Sequence, residues 1–204
     1  MSLYYSHGGI DIHLGDCREI LPTLPKCDLL LTDPPYGIGF AAQPTRYQRT
    51  NGMNAVDWDD LRAENVDFLL VGEAQIIWGG NYFRLPVSRG WLCWRKIDAP
   101  PSMGAFELAW TNQDVNARMI AIPHVGHREF CPHPTQKPLA LMKWCISLFP
   151  DAKTVLDPYC GSGTTLVAAK AMGLTAIGIE LHEPYAEICA KRLSQEVFDF
   201  TGAR

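Results

Sequence analysis

The stretch "KTVLDPYCGSGTTLVAAKAMG", residues 153–173, constrains the fold more than any other part of the chain. An apolar run ends at Asp157, two glycines follow, and a segment with helical spacing ends at Gly173. This pattern predicts a strand, a glycine turn and a helix, which is the repeating unit of a parallel sheet. The following "TAIGIEL" and "PYAEICAKRLSQE" predict another strand and an amphipathic helix.

The same alternation occurs earlier in the chain. "GIDIHLGD", "CDLLLTD", "AQIIWGG" and "GWLCWRK" predict strands, "CREILPTL" predicts a short helical turn, and "PLALMKWCISLF" predicts a helix. We therefore expect an α/β fold with a mostly parallel sheet and helices on both faces. A chain of 204 residues is long enough for one such domain, and we assign residues 1–204 to it.

Composition narrows the classes of function. The seven cysteines form no CxxC pair, which predicts reduced thiols in a cytosol-like compartment. There is no apolar run of about 18 residues and no signal-peptide pattern, so we expect a cytoplasmic protein without a membrane partner. The net charge of -4 disfavours nucleic acid, but residues 84–137 carry seven basic and four acidic side chains. A basic face on an acidic body is compatible with DNA.

Four acidic residues stand at the ends of predicted strands: Asp16, Asp33, Asp157 and Glu180. Ligands of open α/β sheets lie beyond the carboxyl ends of the strands, and packing alone rarely explains several carboxylates there because unpaired buried charges are costly. Glu180 follows Gly161 by 19 residues, a spacing that suits an acid binding both ribose hydroxyls. A nucleoside-containing ligand fits this pattern; the alternative is a structural turn with a surface glutamate.

The stretch "TDPPYGIGF", residues 32–40, follows a buried strand. Its two prolines fix φ and remove backbone donors, so they hold Asp33 and Tyr36 in a rigid arrangement. An ordinary turn after a strand is the alternative for this motif taken alone. The glycine loop further along the chain makes a functional site the better interpretation.

Three segments together resemble the β-class of DNA amino-methyltransferases, of the DPPY type. They are "LGDCREILPTLPKCDLLLTDPPYG", "HPTQKP" and "VLDPYCGSGTTLVAAKAMGLTAIGIELHEPYAEICAKRL", and they cover about half of the chain. That class methylates the exocyclic amine of adenine (N6) or cytosine (N4) with S-adenosylmethionine. The resemblance implies a Rossmann-like S-adenosylmethionine-dependent methyltransferase fold with a permuted motif order, in which the catalytic motif precedes the cofactor motif.

The resemblance also implies a cofactor site. Its residues would be Asp16, Thr135, Gln136, Lys137, Asp157, Tyr159, Gly161, Ser162, Gly163, Thr164 and Glu180. Glu180 matches the acid that binds the ribose, and Asp16 is expected near the adenine of the cofactor. Lys137 and the start of the following helix suit the carboxylate of the cofactor. Ser162 and Thr164 flank the glycines and are expected to help hold its amino-acid part.

The catalytic residues implied by the resemblance are Asp33, Pro34, Pro35 and Tyr36. Asp33 and the backbone carbonyl of Pro34 would each accept one hydrogen of the target amine, which stabilises the nitrogen as positive charge develops. Tyr36 would stack on a base flipped out of duplex DNA. An aspartate rather than a serine at position 33 favours adenine. The alternatives are an N4-cytosine enzyme, an RNA or protein methyltransferase, and a catalytically silent DNA-binding module.

Two segments are candidates for contact with DNA: the polar loop 41–60 and the short insert 114–132. So short an insert predicts recognition of a short target site, or recognition shared with the loop. His124, His127, Cys131 and His133 have a spacing that matches no standard zinc site, so we expect no metal. A homodimer and a partner restriction endonuclease, as in restriction-modification systems, are left open, and Glu107 receives no role.

Overall fold

The computed structural model describes residues 2–37, 66–99, 104–123 and 136–195. Within these ranges the strands are β1 (Ser2–His7), β2 (Ile10–Leu14), β3 (Leu29–Thr32), β4 (Ala74–Trp78), β5 (Trp91–Lys96), β6 (Phe106–Thr111), β7 (Arg118–Ile122), β8 (Thr154–Asp157) and β9 (Thr175–Glu180). The α-helices are α1 (Cys17–Ile20), α2 (Leu139–Ser147), α3 (Thr164–Ala171) and α4 (Glu183–Ser194). The strands form a single sheet in the order β1-β2-β9-β8-β3-β4-β6-β5-β7.

The centre of this sheet is parallel. Strands β2, β9, β8, β3 and β4 are neighbours and all run in the same direction. Leu29, Leu30 and Leu31 of β3 are all fully buried, as a strand covered on both faces requires. Leu29 and Leu31 pack in a core that includes side chains of α2, α3 and α4, whereas Leu30 packs on the opposite face with α1 and the 3-10 turn Asp67–Leu69. The predicted α/β class is confirmed.

The structure adds three strands that the sequence pattern did not reveal. β1 pairs antiparallel with β2, β6 lies between β4 and β5 and is antiparallel to both, and β7 pairs parallel with β5. β1 and β7 are outermost and partly exposed, so they lack the apolar alternation that identifies a strand. Residues 118–122 of the predicted insert 114–132 therefore belong to the sheet. The rest of that insert beyond residue 123, and the loop 41–60, lie outside the described residues.

Other predicted features concern thiols, membranes and metals. The six cysteines in the described ranges are free thiols. No helix in these ranges is long and apolar enough to cross a membrane. The same residues place no three His, Cys, Asp or Glu side chains together as ligands for a metal ion, and the predicted segment from His124 to His133 lies outside them.

A glycine lies at each end of helix α3. Gly163 precedes it with φ +84°, and a Cβ atom there would overlap the Cys189 side chain of α4. Gly173 follows it with φ +74°, and a Cβ atom there would meet no atom within 4 Å. Both positions need the left-handed backbone region that glycine favours, but only Gly163 is also required by close packing.

This difference predicts unequal effects of the same substitution. Gly163→Ala should lower the free energy of unfolding by about 2 to 3 kcal/mol, because backbone strain adds to overlap with Cys189. Gly173→Ala should cost about 1 kcal/mol, because only the strain applies. Urea unfolding of the two variants measures both values. Equal losses would show that the packing of α3 on α4 does not require glycine at position 163.

Candidate active site

Four neighbouring parallel strands end in carboxylates at one edge of the sheet. In sheet order, β2 is followed by Asp16, β9 ends at Glu180, β8 ends at Asp157, and β3 is followed by Asp33. The first two strand ends are joined by the Gly15 N–H, which donates to the Glu180 backbone carbonyl at 2.9 Å. The structure thus brings the predicted catalytic aspartate and three acids of the predicted cofactor site to the same edge.

A hydrogen bond joins the ends of β3 and β8. The Thr32 hydroxyl donates to Asp157 Oδ1 at 2.8 Å, and the Tyr159 backbone N–H donates to the same oxygen at 3.1 Å. Asp33 is the residue after Thr32, so its backbone is tied to the start of the glycine loop. Asp157 is buried, and this burial raises the pKa of its carboxyl to about 6, although hydrogen bonds from Thr165 and Thr32 oppose the change.

The raised pKa makes stability depend on pH with a definite sign. Because the pKa of Asp157 is about 6 in the folded protein and 3.8 ordinarily, the folded state binds more protons between these values. The free energy of unfolding of the wild type therefore falls as pH rises through this window.

The substitution Asp157→Asn tests this dependence. Its Oδ1 still accepts the hydrogen bonds from Thr32 and Tyr159, and no charge is buried. The variant should gain about 2 kcal/mol over the wild type between about pH 4.5 and about pH 7.5, as measured by urea unfolding. A pH-independent difference would contradict this prediction.

Asp33 lies in a cluster with Tyr36 and Lys137. Its Oδ1 accepts a hydrogen bond from the Tyr36 hydroxyl at 2.5 Å, and its Oδ2 accepts one from Lys137 Nζ at 2.5 Å. Between Asp33 and Tyr36, Pro34 is buried and Pro35 is partly exposed. Both carboxylate oxygens of Asp33 are therefore engaged by side chains, which orients the carboxylate without any ligand.

The cluster continues from Lys137 to the antiparallel part of the sheet. Lys137 Nζ lies 3.1 Å from Glu107 Oε2, and Lys96 Nζ lies 2.5 Å from Glu107 Oε1. Burial would lower the pKa of Lys137, but the charges of Asp33 and Glu107 outweigh it, so the pKa of Lys137 is raised and the ammonium is charged. Burial likewise opposes ionisation of Glu107, but Lys137 and Lys96 lower its pKa to about 2. Two cations and two anions thus alternate in a row.

Lys137, predicted to bind the carboxylate of the cofactor, has two carboxylate partners within the protein. Its side chain is 9% exposed and its ammonium is held by Asp33 and Glu107, because residue 137 precedes α2 beside the end of β3. Gln136, the neighbouring residue of the predicted cofactor site, has a buried Oε1 that accepts no hydrogen bond from the described residues. Thr135 lies outside those residues.

The ring of Tyr36 is held by aromatic residues and a glycine. It stacks on Tyr82 with ring centroids 5.0 Å apart, and Phe83 meets it edge-on at 6.2 Å. Gly79 lies so close that a Cβ atom there would overlap the Tyr36 ring. Burial, and then the charge of Asp33, raise the pKa of the Tyr36 hydroxyl, so it acts as a hydrogen-bond donor. Tyr36, the residue predicted to stack on a flipped base, is therefore itself stacked on Tyr82.

The glycine loop contacts Glu180. Gly161 has φ +52°, and its N–H donates to Glu180 Oε2 at 2.9 Å, while the His182 N–H donates to Oε1 at 2.8 Å. Each carboxylate oxygen accepts a backbone hydrogen bond, and acceptor capacity remains because an ionised carboxylate has about four acceptor sites. The side chain is thus fixed in place and is still able to accept hydrogen bonds from two hydroxyls.

Three other residues of the predicted cofactor site are contacted by arginine side chains. Ser162 and Thr164 are contacted by Arg192 of α4, whose Nη1 lies 2.5 Å from the Ser162 carbonyl and 3.3 Å from Thr164 Oγ1. Asp16 caps α1 by accepting the Arg18 N–H at 2.9 Å, and it forms an ion pair with the Arg18 guanidinium at 2.5 Å. The Arg18 side chain donates hydrogen bonds within this ion pair, and they lower the pKa of the Asp16 carboxyl.

Comparison with known proteins identifies the family. Residues 106–191 match the N6_N4_Mtase model, described as DNA methylase. The chain is similar to the type II methyltransferase M.ScaI of Streptomyces caespitosus, with 40% identity over 260 residues that cover 95% of this chain and 84% of M.ScaI. The chain belongs to the N6/N4 DNA methylase family. This family includes enzymes for both bases, so membership does not choose between adenine and cytosine.

Solved structures related to the N6/N4 DNA methylase family have the same fold. The cytosine-N4-specific PvuII DNA methyltransferase has a TM-score of 0.62 and 14% identity, over 96% of this chain and 91% of that chain. M1.HpyAVI, solved as a complex with SAM (S-adenosylmethionine), has a TM-score of 0.57 and 23% identity, over 91% of this chain and 100% of that chain. The predicted methyltransferase fold is confirmed, and S-adenosylmethionine is the methyl donor of this family.

Several residues of the site were missed or left without a role by the sequence analysis. Thr32 and Arg192 contact predicted site residues through hydrogen bonds that no local pattern reveals. For Glu107 the sequence contained an indication, because an acid inside the apolar stretch "AFELAW" needs a partner of opposite charge if it is buried. Lys96 is that partner on the adjacent strand β5, but only the pairing of β5 with β6 makes the two neighbours.

Proposed function

We propose that this chain transfers a methyl group from S-adenosylmethionine to the N6 amine of adenine in duplex DNA, with the target base flipped out of the helix. One observation carries the proposal: the hydrogen bond from Thr32 to Asp157, which ties the strand before Asp33 to the strand before the glycine loop. A methyl donor bound at that loop and an amine bound at Asp33 would then be neighbours. We treat residues 1–204 as one domain that performs this reaction.

The residues of the loop fit the cofactor. Glu180 has acceptor capacity for the two ribose hydroxyls and is held by backbone N–H groups. The buried Oε1 of Gln136 is an acceptor suited to an ammonium group such as that of the amino-acid part of the cofactor. Asp157, Tyr159 and the residues from Gly161 to Thr164 would line the site, and Asp16 and Thr135 are assigned to it from the family pattern. The cofactor supplies an activated methyl group bound to a positively charged sulfur.

The catalytic residues act on the amine. The lone pair of an exocyclic amine is delocalised into the ring, so the nitrogen is a poor nucleophile. Asp33 and the backbone carbonyl of Pro34 accept its two hydrogens and stabilise the positive charge that develops on it. Pro34 and Pro35 keep both acceptors in place, because proline fixes φ. Tyr36 orients Asp33 through its hydroxyl and supports the flipped base.

Adenine is our choice over cytosine because position 33 is an aspartate. N4-cytosine methylation is the second candidate, and the likeness in fold to the cytosine-N4-specific PvuII enzyme favours it. The loop 41–60 and the insert 114–132 are proposed to contact DNA. Arg118, at the start of β7 in that insert, is exposed and available to a phosphate.

The product nucleoside distinguishes these candidates. Duplex DNA is incubated with the protein and with cofactor carrying a labelled methyl group, and is then digested to nucleosides. Labelled N6-methyladenine supports the proposal, and labelled N4-methylcytosine supports the second candidate. RNA and total protein are treated in parallel; label found only there shows a different substrate class. Cofactor and DNA binding without transfer shows a silent binding module.

A further inference from the structure

Glu107 has an unusual position in the row of charges. It lies on β6 between two lysines, with Lys96 on one side and Lys137 on the other. Its Oε1 is paired with Lys96 at 2.5 Å, whereas its buried Oε2 lies 3.1 Å from Lys137 Nζ but accepts no hydrogen bond from the described residues. Glu107 Oε2 is therefore already ion-paired with Lys137 and still lacks a hydrogen bond, which a small movement of the ammonium towards it would supply.

The engagement of Asp33 creates a difficulty for the reaction. Its Oδ1 accepts from the Tyr36 hydroxyl and its Oδ2 accepts from Lys137 Nζ, both at 2.5 Å. A target amine must hydrogen-bond to this carboxylate, and it becomes positively charged as the methyl group arrives. Each oxygen of Asp33 keeps a second acceptor site, but an ammonium held against Oδ2 weakens that oxygen as an acceptor for the amine and repels the charge that develops on the amine. The reaction is favoured if Lys137 moves away from Oδ2.

We propose that Glu107 is a positioning residue that draws Lys137 away from Asp33 Oδ2 and so frees this oxygen for the target amine. This inference rests on the proposed function. Lys137 gives up its pair with Asp33 in this movement but keeps its pair with Glu107 Oε2, which already lies 3.1 Å from the ammonium. A buried ammonium without a partner would be costly, so an alternative acceptor is what makes the movement accessible.

Lys96 controls how strongly Glu107 attracts Lys137. Its ammonium is almost buried, at 8% exposure, and holds the other oxygen of Glu107. Removing the charge of Lys96 leaves Glu107 to Lys137 alone, which strengthens the attraction that frees Asp33. Removing the charge of Glu107 leaves Lys137 to Asp33 alone. The two substitutions therefore have opposite effects on the availability of Asp33.

This opposition defines the experiment. Glu107→Gln and Lys96→Gln are compared with the wild type in single-turnover methyl transfer to duplex DNA at saturating cofactor. Glu107→Gln should lower the rate about tenfold or more, while Lys96→Gln should hold the rate or raise it about threefold. The dissociation constant for S-adenosylmethionine and the melting temperature of each variant are measured on the same samples. Glu187→Gln, which breaks an exposed ion pair with Lys191, is the matched control and should behave as the wild type.

Each outcome has a definite meaning. A slower Glu107→Gln, together with an unimpaired Lys96→Gln, supports the inference even if both variants melt at lower temperature. Equal losses of rate in the two variants overturn it, because a purely structural network would respond to both in the same direction. A Glu107→Gln variant as fast as the wild type overturns it too. A wild-type protein that binds cofactor but methylates no DNA overturns the proposed function and this inference together, whereas an active wild type with a normal Glu107→Gln overturns only the inference.

Discussion

Asp33→Asn should lower the rate of methyl transfer about a thousandfold while changing cofactor affinity less than about twofold. The substitution preserves the shape of the side chain but removes the negative charge that faces the developing positive charge on the amine. It also presents an amide donor where the amine needs an acceptor. Cofactor affinity is expected to hold because the glycine loop joins β8 to α3 and contacts Glu180 rather than Asp33, and Thr32 still donates to Asp157.

Two measurements separate chemistry from binding in this variant. Single-turnover transfer of labelled methyl groups to duplex DNA gives the rate, and titration calorimetry gives the affinity for S-adenosylmethionine. Asp151→Asn makes the same chemical change in an exposed turn and should leave both values unchanged. Asp33 would lose its assigned role if the Asp33→Asn variant kept its rate within about tenfold of the wild type, a change too small for a group that stabilises the transition state.

Lys137→Met should produce the largest loss of stability, lowering the free energy of unfolding by about 3 to 5 kcal/mol. The substitution fills the same space but leaves two carboxylates, Asp33 and Glu107, without the cation between them. Lys191→Met removes a cation from an exposed pair with Glu187 and should cost less than about 0.5 kcal/mol. Urea unfolding near neutral pH measures both changes.

A second variant shows whether unpaired charge is the cause. Adding Glu107→Gln to Lys137→Met removes one of the two facing carboxylates and should recover about 1 to 2 kcal/mol of the loss. If the double variant is no more stable than Lys137→Met, lost packing rather than unpaired charge explains the effect. If Lys137→Met is as stable as the wild type, the ion pairs of Lys137 contribute nothing net to folding.

Much of the fold was predictable because its central elements have strong local patterns. The apolar run of Leu29, Leu30 and Leu31 identifies a strand buried on both faces. The glycines before and after α3 mark the two ends of that helix. β1, β6 and β7 were missed because strands that pair at the edge or in the antiparallel part of the sheet are stabilised by partners distant in the chain. The basic character of residues 84–137 was also misleading in part, since Lys96 and Lys137 face Glu107 rather than the surface.

The sequence by itself determined the central strands and the helices that follow them, the acids at the strand ends and the rigid turn after β3. These features depend on residues close together in the chain, whose periodicity and backbone restrictions act locally. Only the tertiary structure decided that Lys137 pairs with Asp33, and that Glu107 and Lys96 extend the same row of charges. The contact between Lys137 and Asp33 joins residues 104 positions apart, and the energy of a buried charge depends on which opposite charge the fold places beside it.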